Sequence, residues 1–426
     1  MEKEAEIREQ RSLKEVWMIT IGHGLTHWYP ATFYLLLPII GKELGLTYTQ
    51  IGFIISCQYI ASSISNVPSG MLVDMVGRKS LLLATSLFWV GFPYLLMSFT
   101  QNYWFLLVCV ALVGIGNNLW HPTAIPTLAQ RFPDRKGFVL SIHSVGANVG
   151  DALAPLAIGS ILAVLDWRQV VAFNVVPGVF IALAILFFLR NLYVVKKDKK
   201  EADTGTGKAA DTTKAKEGMS FKEYFSGLKS LLKNRNLLII SSSSGFRSMT
   251  QNALNTFLPL YLFYELMFSE AMLGVALFVL QLAGLIAAPI SGTLSDRLGR
   301  KRIIMASMLM TAAVLVVMAA APNSKFFVVF IAVLGFFLYA IRPVMQAWLM
   351  DSTPKKMAGT SIGLLFGVQA MFSALAPTAA GLVADRFGLF STFYFVAATI
   401  VIANFLIFFM PNQTTNKKDA APSASG

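Results

Sequence analysis

The chain has 426 residues, of which 55% are hydrophobic and only 13% are charged. Soluble domains carry about 25% charged residues, so this composition excludes a water-covered globule and makes lipid the solvent for most of the surface. The net charge of +13 does not indicate nucleic-acid binding, because the charges fall in loops between apolar runs, as in membrane proteins. Both cysteines, Cys57 and Cys109, lie in apolar runs, which excludes a disulfide framework.

Twelve apolar segments follow one another along the chain. Each is long enough to cross about 30 Å of hydrocarbon as a helix, and none alternates in polarity as a transmembrane β-strand does. The first is expected to stay in the mature protein, because the residues before Val16 mix Glu with Lys and Arg and lack a signal-peptide pattern. The segments lie near residues 16–40, 50–73, 81–99, 104–129, 138–164, 168–192, 237–264, 270–294, 302–321, 326–350, 358–384 and 390–411.

A polar, lysine-rich stretch over residues 193–236 separates the sixth segment from the seventh. Its Gly, Thr and Ala residues are typical of a flexible linker. Apolar residues recur at helical spacing from Phe221 to Lys233 and predict an amphipathic helix on the membrane surface, with a plain extension of the seventh segment as the alternative. The chain is thus divided into an N-terminal half, 1–192, the linker, and a C-terminal half, 237–426.

A ten-residue signature occurs once in each half. Gly70–Lys79 (GMLVDMVGRK) returns as Gly292–Lys301 (GTLSDRLGRK), shifted by 222 positions. Duplication at half-chain spacing indicates two homologous membrane halves, as in transporters that rock one half against the other. We therefore predict an all-α membrane protein with twelve transmembrane helices in two pseudo-symmetric six-helix halves.

The duplicated pattern, G-x-L-x-D-x-x-G-R-[KR], resembles the loop signature of the major facilitator superfamily. Gly70 and Gly292 are expected to allow close helix packing, and Gly77 and Gly299 a tight turn. The aspartates suit a helix N-terminus or an arginine partner. The resemblance implies a conformational gate, not a substrate site, formed by Gly70, Asp74, Gly77, Arg78, Gly292, Asp296, Gly299 and Arg300.

The fifth segment carries small residues at four-residue spacing from Ser141 to Pro155 (SIHSVGANVGDALAP). Small residues let helices approach closely, and the proline bends the helix. The run resembles the antiporter signature of the same superfamily, with Ala154 where glycine commonly precedes the proline. Together with the WHP step of the fourth segment and the two histidines of the first, it is similar to the fosmidomycin-resistance branch. That resemblance implies proton-driven export of small, often anionic compounds.

Three charged residues lie deep inside apolar segments: Asp151 in the fifth, Arg247 in the seventh and Arg342 in the tenth. An ionised side chain at mid-membrane costs roughly 2.5–3.5 kcal/mol, so these groups should face a wet cavity or one another. Guanidinium groups form paired hydrogen bonds to carboxylate or phosphate. The arginines are therefore predicted to bind an anionic substrate; an Asp151–arginine ion pair that holds helices together is the alternative.

All four histidines of the chain, His23, His27, His121 and His143, fall within predicted segments. His23 and His27 share one helix face, and imidazole relays protons near neutral pH. His23 and His143 are therefore predicted, with Asp151, to take part in proton coupling, while His27 and His121 are predicted to line the substrate site and are the alternative proton carriers to Asp151. No pattern of Cys, Asp or Glu partners supports metal binding at the first-segment pair, so neither a metal nor another cofactor is expected.

Amide side chains complete the predicted cavity. The resemblance implies that the first, fourth, seventh and tenth helices surround it, which selects Asn117, Gln251, Asn255 and Gln346 as substrate contacts. The remaining amides within segments are mostly expected to form interhelical hydrogen bonds: Gln58, Asn118, Asn148, Asn252, Gln281 and Gln369.

These features predict a secondary transporter and not an enzyme, since no metal cluster or nucleophile–base signature is found. The preferred function is proton-coupled export of a small organic anion or antimicrobial compound by alternating access. Proton-symport uptake of an organic anion or phosphonate is one alternative, and a non-transporting receptor or sensor on the same fold is another. The expected partners are an anionic small molecule, protons and the lipid bilayer, without nucleic acid, and the protein is expected to be a monomer.

Basic residues predict the orientation. Apart from Lys42, Arg168, Lys325 and Arg386, the Lys and Arg residues between segments lie in loops on the same side as both termini. Loops rich in Lys and Arg stay in the cytoplasm. The sequence thus predicts a multi-pass protein of the plasma membrane (the bacterial inner membrane) with both termini in the cytoplasm.

Single cysteines introduced between residues 193 and 236 test this orientation. They are expected to resist a membrane-impermeant thiol reagent in intact cells and to react once the cells are permeabilised, because the stretch lies inside. Ready labelling of intact cells would reverse the predicted topology.

Overall fold

The computed structural model describes residues 2–132, 135–190, 192, 233–320, 326–352 and 358–411. These residues form fourteen helices and no β-strand, which confirms the all-α prediction. The helices are α1 Glu2–Glu43, α2 Tyr48–Met75, α3 Lys79–Met97, α4 Tyr103–Asn117, α5 Trp120–Arg131, α6 Lys136–Ile161, α7 Trp167–Phe173, α8 Val175–Phe188, α9 Arg235–Tyr264, α10 Glu270–Leu298, α11 Arg300–Ala320, α12 Phe327–Asp351, α13 Ala358–Phe387 and α14 Ser391–Phe408.

The helices make twelve membrane segments, because α4 with α5 and α7 with α8 are each one segment that is interrupted. Eight segments are long and apolar enough to cross a membrane on length and composition alone. The other four, α1, α2, α6 and α9, are as long but more polar. Three of these four carry histidines or mid-membrane charges, so their polar faces should lie away from lipid.

The fourth segment is a single candidate membrane span, Tyr103–Arg131, as the sequence predicts, but its helix is interrupted. The helix stops at Asn117 and restarts at Trp120. Asn118, between them, binds α2 through its amide, which donates to Ser65 Oγ at 2.8 Å and accepts from Ser62 Oγ at 3.0 Å. Pro122 lies in the first turn of α5, where backbone N–H groups have no partner within the helix. Proline, which has no N–H, therefore fits this position. Of the predicted linker, only residues 233–236 are described; the predicted amphipathic helix otherwise lies outside the described residues.

Close packing of α1 on α6 confirms the role predicted for the small residues of the fifth segment. A Cβ added to Gly24 would lie 3.1 Å from the carbonyl oxygen of Gly146, and one added to Gly150 would collide with the carbonyl of Gly24. The two backbones can approach this closely only because these positions lack side chains. Polar side chains of α1 and α6 are thereby brought within hydrogen-bond range.

The two groups of helices, α1–α8 and α9–α14, meet mainly along two seams, α2 with α13 and α6 with α10. A glycine on each of the four helices lies in a seam, and a Cβ on it would collide with a backbone carbonyl of the other group. Gly52 faces the carbonyl of Pro377, Gly381 that of Tyr48, Gly159 that of Glu270 at 2.6 Å, and Gly274 that of Pro155. These contacts close the protein at the end remote from the termini.

A carboxylate of the second group caps a helix of the first at the same end. Asp385, at the end of α13, accepts hydrogen bonds from the backbone N–H groups of Tyr48 at 2.8 Å and Thr49 at 2.9 Å, and from Thr49 Oγ1 at 2.5 Å. The N-terminus of a helix favours an anion because its first N–H groups lack partners within the helix. Asp385 therefore stabilises the closed seam.

The duplicated signature lies at the opposite, terminal end, where the seams are open. A Cβ added to Gly70, Gly77, Gly292 or Gly299 would meet no atom within 4 Å. The close packing expected at Gly70 and Gly292 is therefore absent from this conformation. Gly299 has φ +93° and makes the predicted turn; Gly77 has no positive φ.

Ion pairs hold the second copy of the signature. Arg300 contacts Asp296 at 3.0 Å through Nη1 and Asp351 of α12 at 2.6 Å through Nε. The exposed Arg78 is the N-cap residue of α3, and the side chain of Asp74 lies outside the described part of the chain. In the second half the signature thus ties α10, α11 and α12 together.

The seam glycines predict how the closed end is opened. Ser56 is 2% exposed and accepts a hydrogen bond from Thr378 across the seam at 2.7 Å. A cysteine at this position, Ser56→Cys, is therefore accessible to a thiol reagent only when the seam opens. The two native cysteines are removed by Cys57→Ser/Cys109→Ser. Gly52→Leu should raise the rate of maleimide labelling at this cysteine in detergent solution. Overpacking costs about 1–3 kcal/mol, which is roughly a 5- to 150-fold shift in the opening equilibrium.

Gly70→Leu is the matched control, because it lies on the same helix and its Cβ has free space. It should not raise the labelling rate, because the added side chain meets no atom in this closed-seam conformation. Equal rates in the two leucine variants would show that the packing at Gly52 does not keep the seam closed.

Candidate functional site

The four histidines meet in the first half of the protein, near the middle of the membrane segments. The ring of His23 on α1 lies 3.9 Å from that of His143, 4.9 Å from that of His121 and 5.0 Å from that of His27, measured between centroids. His121 and His27 are 6.1 Å apart. Residues that are far apart in sequence on α1, α5 and α6 thus form one cluster of imidazoles.

The close contact of α1 with α6 produces two polar pairs in this cluster. Nδ1 of His23 lies 2.6 Å from the backbone oxygen of His143, and Nδ1 of His27 lies 3.0 Å from Oδ2 of Asp151. His23 and His27 lie one turn apart on α1, as do the glycines of α6 that face it. Both pairs therefore depend on the same helix–helix contact.

The break in the fourth segment brings the last imidazole into place. Trp120 begins α5, is fully buried, and packs its ring on Gly22, where a Cβ would lie 2.9 Å from Cζ2. His121, the next residue, therefore lies beside His23. The side chain of His121 is exposed and lies within electrostatic range of Arg342 of the second half, so it borders the space between the two halves.

Asp151 and His27 face the same cavity. Their side chains are 31% and 30% exposed, and they form an ion pair when the imidazole is protonated. The sequence-based alternative of an Asp151–arginine pair is wrong for the described residues, where the partner of the carboxylate is His27. Close packing of α1 on α6 decides this, since it brings His27 to the carboxylate while both arginines belong to the other half.

Arg247 on α9 is the most deeply buried charge of the cavity. It is 3% exposed; its guanidinium donates to Gln251 at 2.8 Å and to Ser248 at 3.2 Å, while its Nε has no partner. No carboxylate of the described residues lies within 4.0 Å of it. A buried guanidinium held only by neutral groups retains capacity for an anion.

Arg342 on α12 is exposed between the fully buried Ile341 and the nearly buried Val344. This local exposure in the middle of an apolar helix again indicates a wet cavity. Arg342 lies within electrostatic range of His121 and of Arg247. It likewise has no carboxylate within 4.0 Å among the residues that the structure describes. Arg342 of the second half thus lies near His121 of the first, with the buried Arg247 beside it.

A network of tyrosine hydroxyls, which the sequence does not reveal, connects the two halves close to these charges. The hydroxyls of Tyr34 and Tyr59 are 3.3 Å apart, and Tyr59 donates to Asn252 of α9 at 2.6 Å. Asn252 donates in turn to Ser373 at 2.6 Å. The sequence does not point to Tyr34 or Tyr59, because a tyrosine in an apolar run gives no sign of where its hydroxyl points.

The other predicted substrate contacts fall in three places. Gln251 binds Arg247, and Asn255 accepts a hydrogen bond from Tyr339 of α12 at 3.3 Å, so both lie in the cavity wall of the second half. Asn117 ends α4 with an unpartnered, buried Oδ1, and Gln346 is half-buried one turn after Arg342. The expected interhelical bonds of Asn118, Asn252 and Gln369 are present.

A family model described as the Major Facilitator Superfamily matches residues 16–261 and 240–425. The chain is 26% identical over 388 residues to the phosphoglycerate transporter protein of Salmonella typhimurium, covering 87% of this chain and 82% of that protein. It is 24% identical over 395 residues to the fosmidomycin resistance protein of Escherichia coli, covering 93% and 92%. Both alignments cover the N-terminal and the C-terminal half of this chain.

The fold agrees with a solved structure at low sequence identity. A bacterial homologue of the human lysosomal transporter Spinster, in an inward-facing and unoccupied conformation, superposes with a TM-score of 0.78 at 14% identity, covering 93% of this chain and 96% of that one. The similarity predicted from the duplicated signature and the fifth segment is confirmed, and so is the prediction of a transporter and not an enzyme. This multi-pass membrane protein belongs to the major facilitator superfamily.

Proposed function

We propose that this protein is a proton-coupled secondary transporter that exports a small organic anion, such as an anionic antimicrobial compound, by alternating access. The observation that carries the proposal is the pair of guanidinium groups of Arg247 and Arg342, which face a cavity without a carboxylate partner among the described residues. Two cations facing one cavity at mid-membrane are stabilised by a bound anion. The relative that is named a phosphoglycerate transporter supports an anionic substrate.

The proposed substrate site lies between the halves. A planar guanidinium binds a carboxylate or phosphate group through two parallel hydrogen bonds, while the imidazoles and amides offer further polar contacts. The proposed contacts are Arg247, Arg342, His27, His121, Asn117, Gln251, Asn255 and Gln346. His23 and His143 remain predictions for proton coupling.

The proposed proton carrier is Asp151. It is the acidic residue at mid-depth in the first half, it faces the cavity, and it pairs with His27 at 3.0 Å. Protonation of the carboxylate removes the negative charge opposite the two arginines of the second half. An anionic substrate and the charged Asp151 carboxylate therefore compete for the positive charge of the two arginines. This competition links release of the substrate to deprotonation of Asp151.

Alternating access follows from the two seams. With both termini in the cytoplasm, the closed end with its seam glycines and Asp385 is the outer side, and the structure represents a state open to the cytoplasm. In the proposed outward-open state the duplicated signature closes the cytoplasmic end, and Gly70 and Gly292 then come into close contact. The halves, residues 1–192 and 237–426, move as units joined by the linker.

Uptake by proton symport is the other direction that the same site allows. The sign of a transport measurement separates the two: expressing cells that accumulate less of a labelled anion export it, and cells that accumulate more import it. A growth-inhibition screen of expressing cells against anionic, neutral and cationic compounds then narrows the substrate class.

The arginines give the first test. Arg342→Lys keeps the charge but removes the guanidinium fork, so it should weaken transport and binding of phosphoglycerate or of the anion that the screen selects. Arg342→Ala and Arg247→Ala should lower affinity by about 10- to 100-fold, the effect of losing a charged hydrogen bond worth roughly 1.5–3 kcal/mol. Binding of the radiolabelled anion to each purified variant measures this loss of affinity.

Arg168→Lys is the control for this series, because Arg168 pairs with Glu43 away from the cavity. It should bind the anion as the wild type does. If Arg342→Ala, folded in the membrane, also binds and transports like wild type, the cavity arginines are structural and the substrate is neutral or cationic.

Asp151→Asn tests proton coupling. The amide is close in size to the carboxyl but does not gain or lose a proton at physiological pH, so a proton gradient should no longer drive transport, while downhill exchange of substrate continues. Reconstituted vesicles, with and without an imposed pH gradient, measure the two activities separately.

Asp166→Asn is the matched control, since Asp166 caps α7 outside the cavity and asparagine is an equally good N-cap. It should keep the full response to the gradient. A full response in Asp151→Asn as well would exclude Asp151 as the carrier and transfer that role to the histidines.

A further inference from the structure

Three of the four imidazoles are arranged as potential ligands of one ion. Each of His23, His121 and His143 offers a ring nitrogen, and these three nitrogens all lie within 4.8 Å of one another. They come from three different helices, α1, α5 and α6. Neutral imidazole is the commonest protein ligand of Zn²⁺ and also suits Cu²⁺ and Ni²⁺.

The hydrogen bond of His23 prepares its other nitrogen for a metal. A backbone carbonyl only accepts, so Nδ1 of neutral His23 carries the proton that it shares with the oxygen of His143 at 2.6 Å. Nε2 is then the nitrogen with the free lone pair. Histidines that ligate metals usually donate their other N–H to a carbonyl or carboxylate in this way, which fixes the tautomer and the ring orientation.

The nitrogens that would bind the ion have no other partner. His23 is 5% exposed and His143 is 2% exposed, and Nε2 of His23 and both ring nitrogens of His143 make no hydrogen bond. Buried polar atoms without partners are rare and costly in folded proteins. Three such atoms in one cluster require an explanation that packing does not give.

We propose that His23, His121 and His143 form a binding site for a divalent transition-metal ion of the Zn²⁺ type. Three nitrogens bound to one zinc at about 2.0–2.1 Å lie roughly 3.4 Å apart, so the rings close by about an ångström on binding and the His143 ring turns out of its stack with His23. His121 is exposed to the cavity, which gives the ion a path of entry and leaves a fourth coordination position open.

The neighbourhood limits the site to these three ligands. His27 turns Nδ1 to Asp151 and lies outside the group of three nitrogens. The Asp151 carboxylate nevertheless lies next to the cluster through His27 and offsets part of the ion's charge. The sequence pattern indicates no metal site, because His23 and His27 have no further ligand near them in the chain. In the fold, α5 and α6 supply the ligands His121 and His143.

The chain is well suited to a direct test, because all four of its histidines belong to this cluster. Full-length protein with a tag free of histidine, stripped of metal and purified in detergent, is titrated with Zn²⁺ by calorimetry and with Co²⁺ by visible absorption. We expect one ion per chain and the ligand-field bands of four-coordinate Co²⁺. Zinc should also raise the Tm of the protein, since it binds the folded state.

Single-ligand variants and a thiol control complete the experiment. His23→Gln, His121→Gln and His143→Gln should each weaken Zn²⁺ binding at least tenfold and abolish the rise in Tm. Cys57→Ser/Cys109→Ser removes the chain's thiols and should bind zinc as the wild type does.

Absence of binding by the wild type would overturn the proposal. So would wild-type affinity in all three glutamine variants, or loss of binding in the thiol variant alone. A glutamine variant that elutes as aggregate is replaced by the corresponding alanine variant, and the wild-type titration decides in either case. No substrate is present in these measurements, so their failure is distinct from failure of the proposed anion transport.

Discussion

The membrane allows no charged side chain at mid-depth without water or a partner, and this constraint organises the whole molecule. Asp151, Arg247 and Arg342 would cost on the order of 7–10 kcal/mol together if they met lipid. The four segments that are less apolar than the other eight are α1, α2, α6 and α9, and three of them carry cavity residues. A cavity between two halves is the arrangement that keeps these side chains wet while both outer surfaces remain apolar.

Glycine positions turn this requirement into a specific geometry. Where α1 meets α6, missing side chains let the backbones approach until His27 reaches Asp151 and His23 reaches the carbonyl of His143. Where the halves meet, the same device makes seams that close fully at one end. Tight packing at backbone contacts has two well-defined states, apart or together, and few intermediate ones, which is the property a rocking transporter needs.

Sequence alone predicted the helical class and the segment positions, because hydropathy and duplication are properties of the chain itself. It also singled out the charged and histidine side chains inside the segments as candidates for the site. It did not predict which residues meet. The His23–His121–His143 cluster depends on the angle at which α5 restarts after Asn118, and that break is stabilised by hydroxyls of α2. Tyr59 escaped notice for the same reason: its contact with Asn252 exists only once two halves are joined. Tertiary contacts between distant segments leave no periodic pattern in the sequence.

The distribution of charge between the halves gives the rocking motion an electrostatic consequence. The carboxylate and all four imidazoles belong to α1, α5 and α6, while both cavity guanidiniums belong to α9 and α12. Motion of one half against the other therefore changes the distances between these opposite charges. In the proposed cycle a substrate anion or the Asp151 carboxylate compensates the arginines, and protonation decides which of the two does so. The tyrosine–asparagine bridge between the halves lies next to this charge boundary, because Tyr59 is within electrostatic range of both Asp151 and Arg342.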